Sequence, residues 1–162
     1  MTEESELSFK TRYADIGDIN TIYLQALTFG EEIKTSKTVD PDLVLERVAE
    51  YVNKENDKTS AIIISSHAGY PIGFALIVYC QDWYEEHDGH IELFYIMKEW
   101  RGLGASRKLV KACINDYKSK RKLFPIASLQ AGCIADTRTA KAYNLLFKDF
   151  GFELYQKDYI YR

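Results

Sequence analysis

The sequence predicts an α+β domain built on a mixed β-sheet. Its 162 residues suit one domain with a single packed core. Hydrophobic residues make up 46% of the chain and charged residues 28%, a composition typical of a globular protein and not of a disordered one. Short β-branched runs alternate with segments of helical periodicity in the order β-α-α-β-β-β-α-β-α-β-β. We therefore expect residues 1–162 to form one domain.

The first part of the chain predicts one strand and two helices. Apolar and polar residues alternate over Leu7–Tyr13, which is typical of a strand. Asp15 or Asp18 can cap a helix that runs to about Leu27, and a polar loop follows it. Pro41 then starts a second helix, because proline suits the first helical position. The residues of this helix that are predicted to face the core are Leu43, Val44, Val48, Tyr51 and Val52.

The rest of the chain predicts the remaining strands and two more helices. The β-branched run Ala61–Ile64 is continuous, as expected of a strand that is covered on both faces. Helical spacing of apolar residues follows the connection Lys98–Ser106 and extends to about Tyr117. Gly151 should end the last helix in a left-handed conformation, because glycine has no Cβ. The other predicted strands are Ile72–Cys80, His90–Met97, Ile126–Ala131, Phe152–Tyr155 and Tyr159–Tyr161.

Hydropathy and cysteine content argue against several classes of protein. No apolar run approaches the roughly 20 residues that cross a bilayer, and the acidic N-terminus lacks the basic start of a signal peptide. We therefore expect a cytoplasmic protein with no membrane partner. Cys80, Cys113 and Cys133 show no paired spacing, which favours reduced and buried thiols. The three histidines have no ligand spacing to these cysteines, so no metal is expected.

The charges divide along the chain. Residues 1–97 carry 7 Lys and Arg against 18 Asp and Glu, whereas residues 98–162 carry 14 against 6. An acidic half beside a basic half could serve a cationic substrate and a polyanionic cofactor. The alternative is that the charges only keep different faces soluble. Because the basic residues are dispersed, no nucleic-acid partner is expected.

A glycine-bearing junction between a strand and a helix is the segment best suited to chemistry. Gly102 and Gly104 let the backbone turn tightly and bring N–H groups close to a ligand. The following helix directs free N–H groups and its positive dipole end at that ligand, which suits a phosphate. Arg101 and Arg107 add donors for phosphate oxygens. The spacing fits neither a Walker loop nor the dinucleotide pattern G-x-G-x-x-G, and a turn that contains glycine for geometry alone is the alternative.

The junction resembles the cofactor motif of the GNAT N-acetyltransferases, an apolar strand followed by Arg/Gln-x-x-Gly-x-Gly/Ala and a helix. Arg101 and Gly104 match this motif, and Ser106 stands where Gly or Ala is usual. The tripeptide Gly151-Phe152-Glu153 resembles the Gly-Phe-Glu signature that follows the family's last helix. The order of elements is similar over nearly the whole chain. The resemblance implies the GNAT fold, a twisted, mixed and mostly antiparallel sheet of about six or seven strands flanked by four helices.

The resemblance also implies acetyl-CoA as the acetyl donor. In the family, backbone groups of the strand pair with the pantetheine arm, and backbone N–H groups of the turn hold the pyrophosphate. The corresponding cofactor-binding positions in this chain are Phe94, Tyr95, Ile96, Arg101, Gly102, Leu103, Gly104, Ala105, Ser106 and Arg107.

Acetyl transfer to an amine needs a group that takes a proton, because only a neutral amine attacks a thioester. Glu92 falls where polyamine-type members of the family carry a catalytic Glu, which implies the role of general base. Its apolar neighbours in sequence would favour the neutral carboxyl by desolvation; a carboxylate in solvent is the alternative. His90 lies two residues earlier and should project to the same face, where it could relay a proton.

The acid that protonates the CoA thiolate departs from the family pattern. The family's usual Tyr on the last helix falls at Phe147, and its usual Asn falls at Ala140. Tyr143 lies one helical turn before Phe147 and is the candidate acid. Core packing of Tyr143, with solvent as the acid, is the alternative.

Two functions of different classes remain open. The first is an N-acetyltransferase for a primary amine of a small molecule or a peptide. The acidic and aromatic segment Asp82–Asp88 suggests a polyamine-like acceptor, since carboxylates and aromatic faces attract ammonium groups. The second is a non-catalytic GNAT-fold module that binds CoA or a protein partner. The Tyr-rich C-terminal strands also leave a homodimer open.

Overall fold

The computed structural model describes residues 8–33, 38–81, 85–131 and 138–153. It divides into two compact units, Met1–Gly132 and Cys133–Arg162, and each is described by itself. A single domain over the whole chain stays a prediction. The strands are β1 (Lys10–Tyr13), β2 (Thr59–Ser65), β3 (Pro71–Gln81), β4 (His87–Ile96) and β5 (Ile126–Ala131). The helices are α1 (Ile19–Ile33), α2 (Pro41–Val52), α3 (Ala105–Lys120) and α4 (Arg138–Asp149), with 3-10 turns at Ile16–Asp18 and Lys98–Trp100.

The strands of the first unit form one mixed sheet in the order β1-β2-β3-β4-β5. Neighbours from β1 to β4 are antiparallel, and β4 and β5 are parallel. The predicted mixed and mostly antiparallel sheet is thereby confirmed, with five strands in the described residues where six or seven were expected. Phe152 and Glu153 are not in a strand, and the rest of the two predicted C-terminal strands lies outside the described residues.

Helices cover both faces of this sheet. α1 and α2 lie on one face, above a buried apolar cluster. α3 lies on the other face, where Asp116 accepts hydrogen bonds from Ser60 Oγ (3.0 Å) and the Tyr79 hydroxyl (2.7 Å). Ser60 and Tyr79 each adjoin a strand residue that packs with the cluster, and alternation along a strand therefore turns them to the α3 face. The buried cluster consists of Ala14, Ile22, Ala26, Val48, Tyr51, Val52, Ala61, Ile63, Phe74, Leu76 and Tyr95.

α1 is longer than the sequence predicts. The expected end at about Leu27 is wrong, because the helix continues to Ile33. Its last turns are held by contacts with β4: Phe29 packs edge-on against Tyr95, with ring centres 5.9 Å apart. Glu32 accepts a hydrogen bond from the Tyr95 hydroxyl at 3.1 Å. Packing on a distant strand therefore overrides the weak helical pattern of this segment.

α2 begins where the sequence predicts, with Asp40 as its N-cap, and turns most of the expected face to the core. Val48, Tyr51 and Val52 are buried, whereas Leu43 is 50% exposed and the prediction for it is wrong. At 100° per residue, Leu43 lies about 140° around the helix from Val48, which turns it away from the sheet.

The β3–β4 hairpin is also longer than predicted. β3 extends to Gln81 and β4 begins at His87, so Gln81 and His87–Gly89 of the expected loop Gln81–Gly89 are paired strand. Gly89 allows this, because a Cβ at that position would lie 2.7 Å from the ring of Tyr79. The Tyr79 ring therefore packs directly on the β4 backbone at position 89, where only glycine fits.

The second unit contains α4, which ends as predicted. Gly151 has φ 85°, in the left-handed region. The N–H groups of Gly151 and Phe152 donate to the carbonyls of Lys148 (3.0 Å) and Phe147 (3.1 Å), the paired bonds of a Schellman cap. The rings of Phe147 and Phe152 are in edge-on contact, with centres 5.1 Å apart. In the described part of the chain, no helix has both the length and the apolar character that a membrane crossing requires.

Candidate functional site

The junction between β4 and α3 has the geometry that its glycines predict. Gly102 has φ 77° and Gly104 has φ 95°, so both lie in the left-handed region that strains residues with a Cβ. The first intrahelical bond of α3 is donated by Lys108 to the Gly104 carbonyl, at 3.1 Å. The N–H groups of Ala105 and Ser106 come before that bond and point out of the helix end. Such an end attracts a phosphate group.

The side chain of Arg101 is bound by other elements. Its Nη2 donates to Glu32 Oε2 at 2.6 Å, and its Nε donates to the Ile96 carbonyl at 2.8 Å. The guanidinium also lies over the Tyr95 ring, 5.6 Å from its centre. Burial, followed by the charge of Glu32, raises the pKa of Tyr95 to about 12. The predicted phosphate donor is therefore already paired with Glu32 of α1, a residue that sequence analysis did not identify.

The other predicted cofactor positions follow the strand and the turn. Phe94, Tyr95 and Ile96 are buried at the end of β4, and Leu103 is 49% exposed on the turn. Arg107 is half-buried in the first turn of α3. The end of β4, the glycine turn and the start of α3 thus follow one another directly along the chain.

A β-bulge interrupts β4 at Glu92. This residue is an extra one between the pairs Leu76↔Leu93 and Ile77↔Ile91, so nothing in β3 lies opposite it. A bulge bends the strand and re-aims the side chain. The pairs with β5 also end at Ile91. Among the described residues, the pairing of β4 with β5 therefore stops before the last part of β4.

The carboxylate of Glu92 meets α2 at this bulge. The Tyr51 hydroxyl donates a hydrogen bond to Glu92 Oε2. The side chain of Glu92 is exposed, which corrects the expectation that its apolar sequence neighbours desolvate it. Glu92 lies just beyond the last pair of β4 with β5, so no described residue of β5 lies opposite it. The sequence identified Tyr51 only as a core residue, since its partner lies 41 positions away.

His90 and Glu92 project to the same face, as the strand periodicity predicts. His90 lies opposite Val78, which packs against the cluster that contains Tyr51. Opposed residues of neighbouring strands point to the same side of a sheet. The relay role of His90 stays a prediction.

Polar side chains continue along this face toward the start of β4. Asp88 Oδ1 accepts a hydrogen bond from Ser128 Oγ at 2.7 Å, and Gln130 Nε2 donates to that hydroxyl at 3.1 Å. Cys80 lies opposite Asp88. Desolvation and the charge of Glu92 raise the pKa of the Cys80 thiol, which keeps it protonated. This strip offers carboxylates and hydrogen-bonding groups beside the bulge.

The cysteines divide between two environments. Cys113 is buried on α3, as predicted, and its burial raises its pKa. Cys80 is exposed, so the prediction of a buried thiol is wrong there. Cys133 lies outside the described residues. Among those residues, no group of three or more His, Cys, Asp or Glu could hold a metal ion.

The candidate acid belongs to the second unit. Tyr143 is half-buried on α4, and Phe147, at the position where the family usually has Tyr, is buried. Because the two units are described separately, the role of Tyr143 stays a prediction.

One known protein family matches most of the chain. The family model described as "Acetyltransferase (GNAT) family" matches residues 22–152. No curated protein sequence matches the chain. Among solved structures, a possible acetyltransferase from Clostridium difficile 630 is 19% identical with a TM-score of 0.68, covering 95% of this chain and 97% of the other.

Two further solved structures are similar over the same extent. A predicted acetyltransferase from Clostridium acetobutylicum, solved with acetyl-CoA, is 15% identical with a TM-score of 0.74, covering 95% of this chain and 96% of its own. Glucosamine-6-phosphate N-acetyltransferase from Arabidopsis thaliana is 15% identical with a TM-score of 0.68, covering 95% and 97%. At these identities the likeness establishes the fold alone.

Proposed function

The chain belongs to the acetyltransferase (GNAT) family and is an acetyl-CoA-dependent N-acetyltransferase, and we propose that it acetylates a primary amine with Glu92 as the general base. The observation that carries this proposal is the exposed carboxylate at the bulge of β4, held by the Tyr51 hydroxyl. An exposed carboxylate can meet an incoming ammonium group. It lies where β4 loses its pairing with β5, beside the strand edge that would receive the thioester.

Acetyl-CoA fits the residues on the other side of the bulge. The backbone of Phe94–Ile96, beyond the last pair of β4 with β5, would pair with the pantetheine arm. The left-handed turn at Gly102 and Gly104 and the first N–H groups of α3 would hold the pyrophosphate. The donor supplies an activated acetyl group, and the chain orients it toward the face that carries Glu92.

The reaction needs a proton acceptor for the amine and a proton donor for the leaving thiolate. Glu92 accepts the proton that the amine nitrogen loses, and this nitrogen bonds to the acetyl carbon. The carbon–sulfur bond breaks, and the sulfur leaves as a thiolate that needs a proton. We propose Tyr143 as the donor of that proton, because Phe147 cannot donate one. Solvent as the donor is the alternative, and retention of full kcat in Tyr143→Phe would select it.

The acceptor that fits this site best is a primary amine of a small molecule or peptide that carries further positive charge. Asp88 and Glu92 lie on the same face of β4, and Ser128 fixes the Asp88 carboxylate. Glu85 and Glu86 are exposed just before β4, and residues 82–84 of the same segment lie outside the described residues. Carboxylates in this arrangement concentrate cationic ligands, which supports a polyamine-like acceptor.

A second candidate function rests on the last helix. Phe147 stands at the position of the family's usual Tyr, which favours a module that binds CoA or a protein partner without turnover. Release of CoA thiol in the presence of spermidine, lysine, aminoglycosides and short peptides distinguishes the two. Turnover with one class, lost in Glu92→Gln, supports the enzyme and its base. Binding of acetyl-CoA without turnover on any amine supports the module.

A further inference from the structure

We infer that Tyr51 is a positioning residue for the Glu92 carboxylate, so that α2 takes part in acetyl transfer. The inference rests on the proposed role of Glu92 as base. The two side chains are 41 residues apart in sequence and are joined by the hydrogen bond from the Tyr51 hydroxyl to Glu92 Oε2.

The Tyr51 ring is a rigid support for this bond. It is only 6% exposed and belongs to the buried cluster between α2 and the sheet, together with Val48, Phe74 and Leu76. A ring packed in this way has few rotamers, so its hydroxyl stays in one place. Burial, followed by the hydrogen bond to Glu92, raises the pKa of Tyr51 far above its usual value. Tyr51 therefore remains a hydrogen-bond donor at every pH at which the enzyme would work.

Glu92 needs such a support because its own strand does not provide one. As the extra residue of a bulge, it has no opposed residue in β3 against which to pack, and its side chain is exposed. A free Glu at such a position samples several rotamers. The bond to Oε2 selects one of them and leaves Oε1 for the acceptor amine. The tether thus converts a mobile carboxylate into an oriented base.

If Tyr51 had a purely structural role, its replacement would change stability and not kcat, and a control variant represents that case. The matched case is Tyr79, another buried tyrosine of the same sheet that donates to a carboxylate, Asp116, on the α3 face. Tyr79→Phe removes a similar bond from Asp116, a buried carboxylate that has no proposed role in the reaction. Tyr51→Phe removes its bond from an exposed carboxylate, leaves no buried polar group unpaired, and should fold normally.

The test is steady-state kinetics of the wild type, Tyr51→Phe, Glu92→Gln, the double variant and Tyr79→Phe. The acceptor is the amine with the highest wild-type kcat/KM among spermidine, lysine, aminoglycosides and short peptides. Tyr51→Phe should lower kcat about 10- to 100-fold with an unchanged KM for acetyl-CoA. In the Glu92→Gln background, Tyr51→Phe should have no further effect. Tyr79→Phe should lower the Tm and keep kcat.

The outcomes separate the inference from the proposed function. Wild-type kcat in Tyr51→Phe beside an inactive Glu92→Gln would overturn the role of Tyr51 alone. Equal losses from Tyr51→Phe in both backgrounds would do the same, since a positioning residue acts only through the group that it holds. Wild-type kcat in Glu92→Gln would overturn the proposed base, and the role of Tyr51 with it.

Discussion

At the scale of single residues, two glycines shape the proposed pyrophosphate site through backbone conformation. Gly102 has a positive φ and open space around the position of a Cβ. A side chain there meets no neighbour, so a substitution changes the backbone preference and nothing else nearby. This isolates the contribution of the left-handed turn to acetyl-CoA binding.

We predict that Gly102→Ala weakens acetyl-CoA binding by about 10-fold, because strain of roughly 1–2 kcal/mol disfavours the turn that presents the N–H groups. Calorimetric titration with acetyl-CoA measures the change in Kd. The control is Gly69→Ala: Gly69 also has a positive φ (88°) and open space, in a turn between β2 and β3. Gly69→Ala should lose stability to a similar degree and keep the Kd for acetyl-CoA. Equal Kd values for the wild type, Gly102→Ala and Gly69→Ala would contradict this role of the turn.

At the scale of elements, one ion pair links α1 to the cofactor turn. Arg101 and Glu32 are each 29% exposed and lie 69 residues apart in sequence. The carboxylate of Glu32 is paired with the Arg101 guanidinium, which sequence analysis predicts to bind a phosphate. A phosphate of acetyl-CoA that binds Arg101 would therefore compete with the Glu32 carboxylate of α1.

We predict that Glu32→Gln tightens acetyl-CoA binding about 2- to 5-fold, since a partly exposed pair contributes at most about 1 kcal/mol. Titration calorimetry at low salt measures it, and high salt should reduce the difference. Glu50→Gln removes the exposed pair of Arg47 and Glu50 and should leave the Kd unchanged. Weaker binding in Glu32→Gln would show that the pair supports the site.

The same elements show which features local sequence can predict. The glycine turn, the start of α2 at Asp40 and the cap at Gly151 follow from residue types that act within a few positions. The length of α1 and the contact of Tyr51 with Glu92 depend on side chains 41 or more residues apart. Local periodicity contains no signal for such pairs. The bulge at Glu92 likewise arises from the register with β3, which no single strand encodes.

For the protein as a whole, buried tyrosines on both faces of the sheet make the stability of the fold depend on pH. Tyr79 donates to Asp116 under α3, Tyr95 donates to Glu32, and Tyr51 donates to Glu92. Burial is the first cause that raises the pKa of each: Tyr95 to about 12, and the other two further. Each hydroxyl also bonds a carboxylate, which opposes its ionisation.

These pKa shifts predict a loss of stability in alkali. In the unfolded chain the tyrosines ionise at about pH 10, whereas the folded chain holds their protons to higher pH. Their stabilisation is complete below about pH 10 and declines above it, by about 1.4 kcal/mol per pH unit for each tyrosine. Urea unfolding at pH 9 and pH 11 measures the slope.

Two variants test the origin of that slope. Tyr79→Phe should make it shallower, and Tyr70→Phe, at a position that is 71% exposed, should not change it. A free energy of unfolding that stays constant between pH 9 and pH 11 would contradict the assignment.

The role of Glu92 as general base is tested by kcat of Glu92→Gln against the wild type, with acetyl-CoA affinity measured on both. Glutamine keeps the size of the side chain and can still accept the bond from Tyr51, but it cannot take a proton. We predict a loss of at least about 100-fold in kcat, the usual contribution of a general base, with unchanged Kd for acetyl-CoA. Wild-type kcat in Glu92→Gln would contradict the claim and assign the proton to another group.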